Sequence, residues 1–125
     1  MRKRKPFRLL VTGSRQWTDY SLIHKELYTL QVTYRKIVLV SGHCPTGADC
    51  LAEEAARALE FGIEQYPADW STYGKSAGFR RNVEMVESKI DMCYAFILDD
   101  SRGATHCMKA ATWRKIPTTV WYRYS

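Results

Sequence analysis

Three stretches of the chain set glycine beside hydroxyl, cationic or carboxylate groups. Thr12-Gly13-Ser14-Arg15 places a glycine, a hydroxyl and a guanidinium in consecutive positions, with Trp17 two residues on. Glycine lets backbone amides come close to a ligand, a serine hydroxyl can donate to a phosphate oxygen, and guanidinium grips phosphate with a planar fork. Taken alone, Gly-Ser-Arg fits an ordinary turn equally well. Ser41-Gly42-His43-Cys44-Pro45-Thr46-Gly47-Ala48-Asp49 is more pointed, because two glycines flank a turn that opens onto an Ala-rich segment. The amides of Gly47, Ala48 and Asp49 are expected to face an anion there, helped by the helix dipole. Gly42 and Gly47 have the spacing of a phosphate-binding P-loop, but Ala48-Asp49 stands where Lys-Ser/Thr is required, which argues against a P-loop hydrolase. Asp49 has two readings, a contact to a ribose hydroxyl or a cap of its own helix. In Asp99-Asp100-Ser101-Arg102-Gly103-Ala104-Thr105-His106, the residues Ser101, Gly103 and Thr105 suit a second phosphate or ribose contact, with Arg102 as a clamp.

A fourth stretch, residues 68–82, combines Trp70 and Tyr73, read as loop residues able to stack on a base, with Lys75, Arg80, Arg81 and Asn82, which could reach phosphate or ribose. The competing reading has Trp70 covering the core edge and the arginines solvated. His43, Cys44, Cys50, His106 and Cys107 supply nitrogen and sulfur donors, but their spacing matches no zinc ribbon or finger, so no metal is expected. A Cys–His nucleophile would draw on the same residues and has no stronger signal.

These stretches need a scaffold that brings them to one edge. Strand-length apolar runs recur at Phe7 to Thr12, Ile37 to Ser41, Ile63 to Pro67, Met92 to Leu98 and Thr118 to Tyr122. Between them lie helical stripes: Ile23, Leu27 and Leu30 behind Thr18-Asp19; Ala48, Leu51, Ala52, Ala55, Ala56 and Leu59; Phe79, Val83, Val86 and Ile90; and Ala104, Cys107, Met108 and Ala111. Glu53, Glu54, Arg57 and Glu60 fall off the second stripe and read as a solvated face. Five strands alternating with about four helices predict an open, mainly parallel sheet in an α/β, Rossmann-like domain over residues 7–125, preceded by a basic arm over residues 1–6. Such sheets bind ligands beyond the carboxyl ends of the strands, where all the loops above fall.

Composition narrows the class. The 125 residues carry a formal net charge of +6, but Arg2, Lys3, Arg4, Lys5 and Arg8 supply five of the 19 basic residues, leaving a body of 14 basic against 13 acidic side chains. The arm can touch phosphate non-specifically, and its plainer role is a solubilising tail. No apolar run approaches the length of a membrane span, and the basic start has no secretory pattern, so a cytoplasmic chain without membrane contact is expected. Four cysteines without a C-x-x-C pair argue against a disulfide scaffold.

Taken in order, Thr12-Gly13-Ser14-Arg15, Gly47-Ala48-Asp49, Pro67-Ala68-Asp69-Trp70, Gly74-Lys75-Ser76-Ala77-Gly78, Arg81-Asn82 and Ser101-Arg102-Gly103 strongly resemble the YspA/YpsA-related family of the SLOG superfamily, which also holds Smf/DprA and the lonely-guy enzymes. The resemblance runs from Phe7 to Tyr122. It implies a compact Rossmann-like domain that binds a nucleotide or a nucleotide-derived, ADP-ribose-like ligand. Carried over by position, it assigns phosphate and ribose contacts to Gly13, Ser14, Arg15, Gly47, Asp49, Arg81, Asn82 and Gly103.

Lonely-guy enzymes cleave the N-glycosidic bond of a nucleoside monophosphate with the Glu of a P-G-G-x-G-T-x-x-E stretch. The comparable positions here hold Cys107 or Met108, so the sequence leaves turnover open. Acid–base work at a glycosidic bond needs a carboxylate near the leaving group, and Asp49, Glu53 or Glu84 would have to stand in. The leading expectation is therefore a nucleotide-binding protein that senses or sequesters its ligand. A nucleosidase or phosphoribohydrolase is the first alternative, and a single-stranded nucleic-acid module the second. Expected partners are a small-molecule nucleotide and, by analogy with the family, a second copy of the chain.

Overall fold

The computed structural model describes residues 5–125. Residues 1–4 of the basic arm, with Arg2, Lys3 and Arg4, lie outside the described residues. The chain runs β1 (Phe7–Gly13), α1 (Tyr20–Thr33), β2 (Ile37–Ser41), α2 (Ala48–Ala58), β3 (Gly62–Gln65), a short α3 (Trp70–Tyr73), a single 3-10 turn (Gly74–Ser76), α4 (Ala77–Glu87), β4 (Met92–Leu98), α5 (Arg102–Trp113) and β5 (Thr118–Arg123). The strands form one sheet in the order β3-β2-β1-β4-β5, and every pairing is parallel. The expected α/β Rossmann-like arrangement is present, with a wholly rather than mainly parallel sheet.

Strand order dictates which face each helix covers, because parallel crossovers are right-handed. The chain steps outward from β1 to β3, then returns across the sheet to β4. Leu9, Val11 and Leu39 accordingly pack with Ile23, Leu27 and Leu30 of α1 and Ala52, Ala55 and Ala56 of α2. Leu10, Val40 and Cys93 pack on the opposite face with Met85 and Val86 of α4 and Cys107 and Ala111 of α5. Burying each large apolar side chain of this kind contributes about 1.5–3 kcal/mol.

The helix starts follow local chemistry. Asp19 caps α1 by accepting from the Leu22 amide at 3.1 Å. Gly47 precedes α2 with φ 77° and ψ −150°, a conformation essentially confined to glycine. The alanines of α2 let it lie close to β1: a Cβ on Gly13 would stand 2.3 Å from Ala48 Cβ. Cys93 and Cys107 are buried free thiols, and Cys44 and Cys50 are also free.

Two expectations fail around α4. Trp70 and Tyr73 lie on the short α3 rather than in a loop, where Asp69 caps the helix by accepting from the Thr72 amide at 3.1 Å. The inward face of α4 is Ala77, Arg81, Asn82, Met85 and Val86, whereas Phe79 and Val83 are 40% and 41% exposed. Hydrophobicity mis-phased this helix because two polar residues occupy its buried side and find partners there.

Among the described residues, no helix is long and apolar enough to cross a membrane.

Candidate functional site

The order β3-β2-β1-β4-β5 reverses direction between β1 and β4, so the loops after these two strands part and leave a crevice at their carboxyl ends. A cavity of about 250 Å³ opens there. Gly13, Arg15 and Gln16 line it from the first loop, Cys44 and Asp49 from the second, and Ser101, Gly103 and Ala104 from the start of α5. Trp70 of α3, Lys75 of the 3-10 turn and Gly78, Phe79, Arg81 and Asn82 of α4 close it. Nine of the residues singled out from the sequence thus meet in one cavity: Gly13, Arg15, Asp49, Trp70, Lys75, Arg81, Asn82, Ser101 and Gly103.

The others are placed differently. Ser14 is fully buried, and its hydroxyl accepts from the Leu98 amide at 2.8 Å and donates to the Leu98 carbonyl at 3.2 Å. Trp17 is 3% exposed, packs in the core beside Phe96 and donates Nε1 to the Asp19 carbonyl. Gly47 and Ala48 serve the frame: the Ala48 amide, expected to face an anion, donates to the Ser14 carbonyl at 3.1 Å. Gly42 lines an adjoining chamber, while Arg102 and Thr105 line neither space. The uncapped helix N-terminus that opens on the cavity is that of α5, where a Cβ on Gly103 would meet nothing within 4 Å, whereas the Ala77 amide that begins α4 donates to the Gly74 carbonyl of the preceding turn. Unpaired amides at helix starts favour an anion.

Arg81 organises the centre. Its Nη1 donates to the Gly42 carbonyl at 2.5 Å and to the Tyr66 carbonyl at 3.3 Å, tying the ends of β2 and β3 to α4. Its Nε donates to Asn82 Oδ1 at 3.0 Å, which fixes the Asn82 amide. Asn82 Nδ2 then donates to the Gly103 carbonyl and, at 3.2 Å, to His106 Nδ1, so that nitrogen must accept and the ring carries its proton on Nε2. Burial holds the His106 pKa below its ordinary value, and the ring packs on Phe79 with centroids 4.4 Å apart.

Asp49 is 6% exposed, and its Oδ2 accepts from the Cys44 amide at 3.3 Å rather than capping its own helix. Burial pushes its carboxyl pKa up, opposed by that amide and by the charge of Arg81. Burial, reinforced by Asp49, also pushes the Cys44 thiol up, the opposite of what an activated nucleophile requires.

Glu53 corrects the sequence reading most. Its side chain is not solvated: it is 3% exposed and accepts from Ser41 Oγ at 2.8 Å, Gln65 Nε2 at 2.8 Å and His43 Nδ1 at 2.9 Å. Burial alone would raise its pKa, yet the hydrogen bonds from His43, Ser41 and Gln65 hold it below the ordinary carboxylate value. No periodicity signals this residue, because its partners come from β2, the following loop and β3. Gln16 and Phe79 were also missed as lining residues, the former for want of any motif and the latter because it was counted into an apolar stripe.

A family model described as "YAcAr: YspA, cpYpsA-related SLOG family" matches residues 7–73, more than half of the chain. The chain is also 39% identical over 116 residues to the "Gene 61 protein" of Mycobacterium phage D29, covering 88% of this chain and 92% of that protein. The matched segment carries the loops after β1 and β2 and reaches α3, and the phage relative extends the likeness across the walls built by α4 and α5. On the family match, which covers more than half of its residues, the chain belongs to the YspA, cpYpsA-related SLOG family.

Proposed function

We propose that the protein binds a nucleotide or nucleotide-derived, ADP-ribose-like ligand in the cavity at the β1/β4 crevice, and that it acts by sensing or sequestering it. The observation that carries this reading is the convergence of Arg15, Lys75 and Arg81 with the aromatic walls Trp70 and Phe79 around one small cavity. Cationic side chains and the start of α5 suit phosphate, an aromatic face suits a base, and the buried Asp49 carboxylate suits a ribose hydroxyl. Membership of a SLOG family supports a nucleotide-related function.

Native mass spectra of the purified protein, alone and with ADP-ribose, NAD, AMP or cyclic nucleotides, test the reading and report oligomeric state. A nucleotide adduct is expected, weakened about tenfold or more in Arg15→Ala and in Lys75→Ala, each of which removes a charge-assisted contact from an exposed position. Absence of any adduct across the panel would sink it.

Asp49 favours a second reading, cleavage of an N-glycosidic bond, since a buried carboxyl with a raised pKa is the kind of group that protonates a leaving base. Release of free base that disappears in Asp49→Ala is the expected sign.

A further inference from the structure

The cavity does not end at its central arginine. A second chamber of about 300 Å³ adjoins it, and Arg15, Cys44, Trp70 and Arg81 line both. His43 lines only the second chamber. Its backbone sits in the left-handed region at φ 58°, with its amide donating to Ser41 Oγ at 3.1 Å. Its imidazole is half exposed, and Nδ1 meets the buried carboxylate of Glu53 at 2.9 Å.

This arrangement has a chemical consequence. A carboxylate surrounded by three donors is held ionised, and it fixes the imidazole tautomer by taking the Nδ1 proton as a hydrogen bond. The free lone pair is then on Nε2, the nitrogen not engaged by Glu53. Carboxylate-oriented imidazoles of this kind are proton acceptors for water or hydroxyl groups.

We propose that His43, oriented by Glu53, is the general base for hydrolysis of a phosphoanhydride bond in a ligand that spans the two chambers. The proposal rests on the nucleotide-binding reading above. Water gives a proton to His43 Nε2 as its oxygen bonds to phosphorus. The bridging P–O bond breaks, and its electron pair leaves with the departing phosphate monoester; the imidazolium then returns the proton to solvent. A phosphate monoester departs as an anion without a general acid, which matches a chamber lined by one imidazole. Arg15 and Arg81, on the wall common to both chambers, offset charge on the phosphoryl oxygens. Glu53 is a positioning residue.

The test follows ADP-ribose with the full chain in oxygen-labelled water, with and without magnesium, reading products by mass spectrometry and binding by calorimetry. AMP and ribose 5-phosphate are expected, with one labelled oxygen per turnover. His43→Asn, chosen because Asn tolerates the left-handed backbone, should keep the Kd within about twofold and lose about 100-fold or more in kcat. Glu53→Gln should lower kcat with KM unchanged, a split that a purely structural role would not produce. Wild-type binding without turnover of ADP-ribose, NAD or ADP would overturn the dyad and leave the binding reading standing. Free adenine as product, or full turnover by His43→Asn, would also overturn it. Failure of the wild type to bind would remove both readings together.

Discussion

Ser14 and Leu98 join the two lips of the crevice through one hydroxyl, which accepts from the Leu98 amide at 2.8 Å and donates to the Leu98 carbonyl at 3.2 Å. The backbone of Ser14 completes the knot, with its amide donating to Phe96 and its carbonyl accepting from Ala48 and Trp17. Ser14→Ala leaves the half-buried Leu98 amide without its partner, so a loss of about 1 kcal/mol is expected in urea unfolding. Nucleotide affinity should change far less than in Arg15→Ala, because Ser14 does not line the cavity.

Gly47 and Gly103 separate frame from cavity. A Cβ on Gly47 would fall 2.2 Å from the Ser14 carbonyl, and its φ of 77° is strained for any other residue, whereas a Cβ on Gly103 meets nothing within 4 Å. Gly47→Ala should therefore cost about 1–3 kcal/mol or more from overpacking, with added backbone strain. Gly103→Ala, inside α5, should be neutral or gain up to about 1 kcal/mol from helix propensity. Chemical denaturation of the two variants side by side checks the contrast. Weakened nucleotide binding in Gly103→Ala without lost stability is the further outcome expected if the ligand approaches the α5 amides.

Asp49 and Glu53 stand one turn apart on α2, yet their environments drive them in opposite directions. Burial raises the Asp49 pKa, so its ionisation works against the folded state as pH rises from the ordinary carboxyl value of 3.8 through the raised folded value. Asp49→Asn should unfold at higher urea concentration than wild type at pH about 7, and this advantage should vanish below the unfolded pKa. Three hydrogen bonds outweigh burial at Glu53 and lower its pKa, so its contribution is present above the ordinary value of 4.5 and lost as pH falls through the folded value. Glu53→Gln should be less stable than wild type at neutral pH, and the deficit should narrow in acid. Urea midpoints recorded from neutral to acidic pH distinguish the two residues by sign.

Much of the frame was legible without coordinates. Ile37-Val38-Leu39-Val40 and Ala95-Phe96-Ile97-Leu98 read as strands covered on both faces, and parallel β-α alternation sends every post-strand loop to one edge. Asp19 and the alanine stripe of α2 announced their helices because capping and small-residue spacing are local properties. Nine expected site residues consequently meet around one cavity.

What lies across from a side chain is not local, and there the tertiary structure decided. Arg81 and Asn82 read from the sequence as groups free to reach phosphate or ribose, with solvation as the rival reading for the arginine, until carbonyls 39 and 21 residues away, at Gly42 and Gly103, accept from them. Glu53 looks solvated until Ser41, His43 and Gln65 surround it. Ser14 and Ala48 look like phosphate donors until each satisfies the other lip of the frame. Sequence determined which groups arrive at the carboxyl edge, through periodicity and strand order. Only the folded arrangement decided which hydrogen-bonding groups the protein itself consumes and which remain for a ligand, because buried donors and acceptors take the nearest partner in space, wherever it lies in the chain.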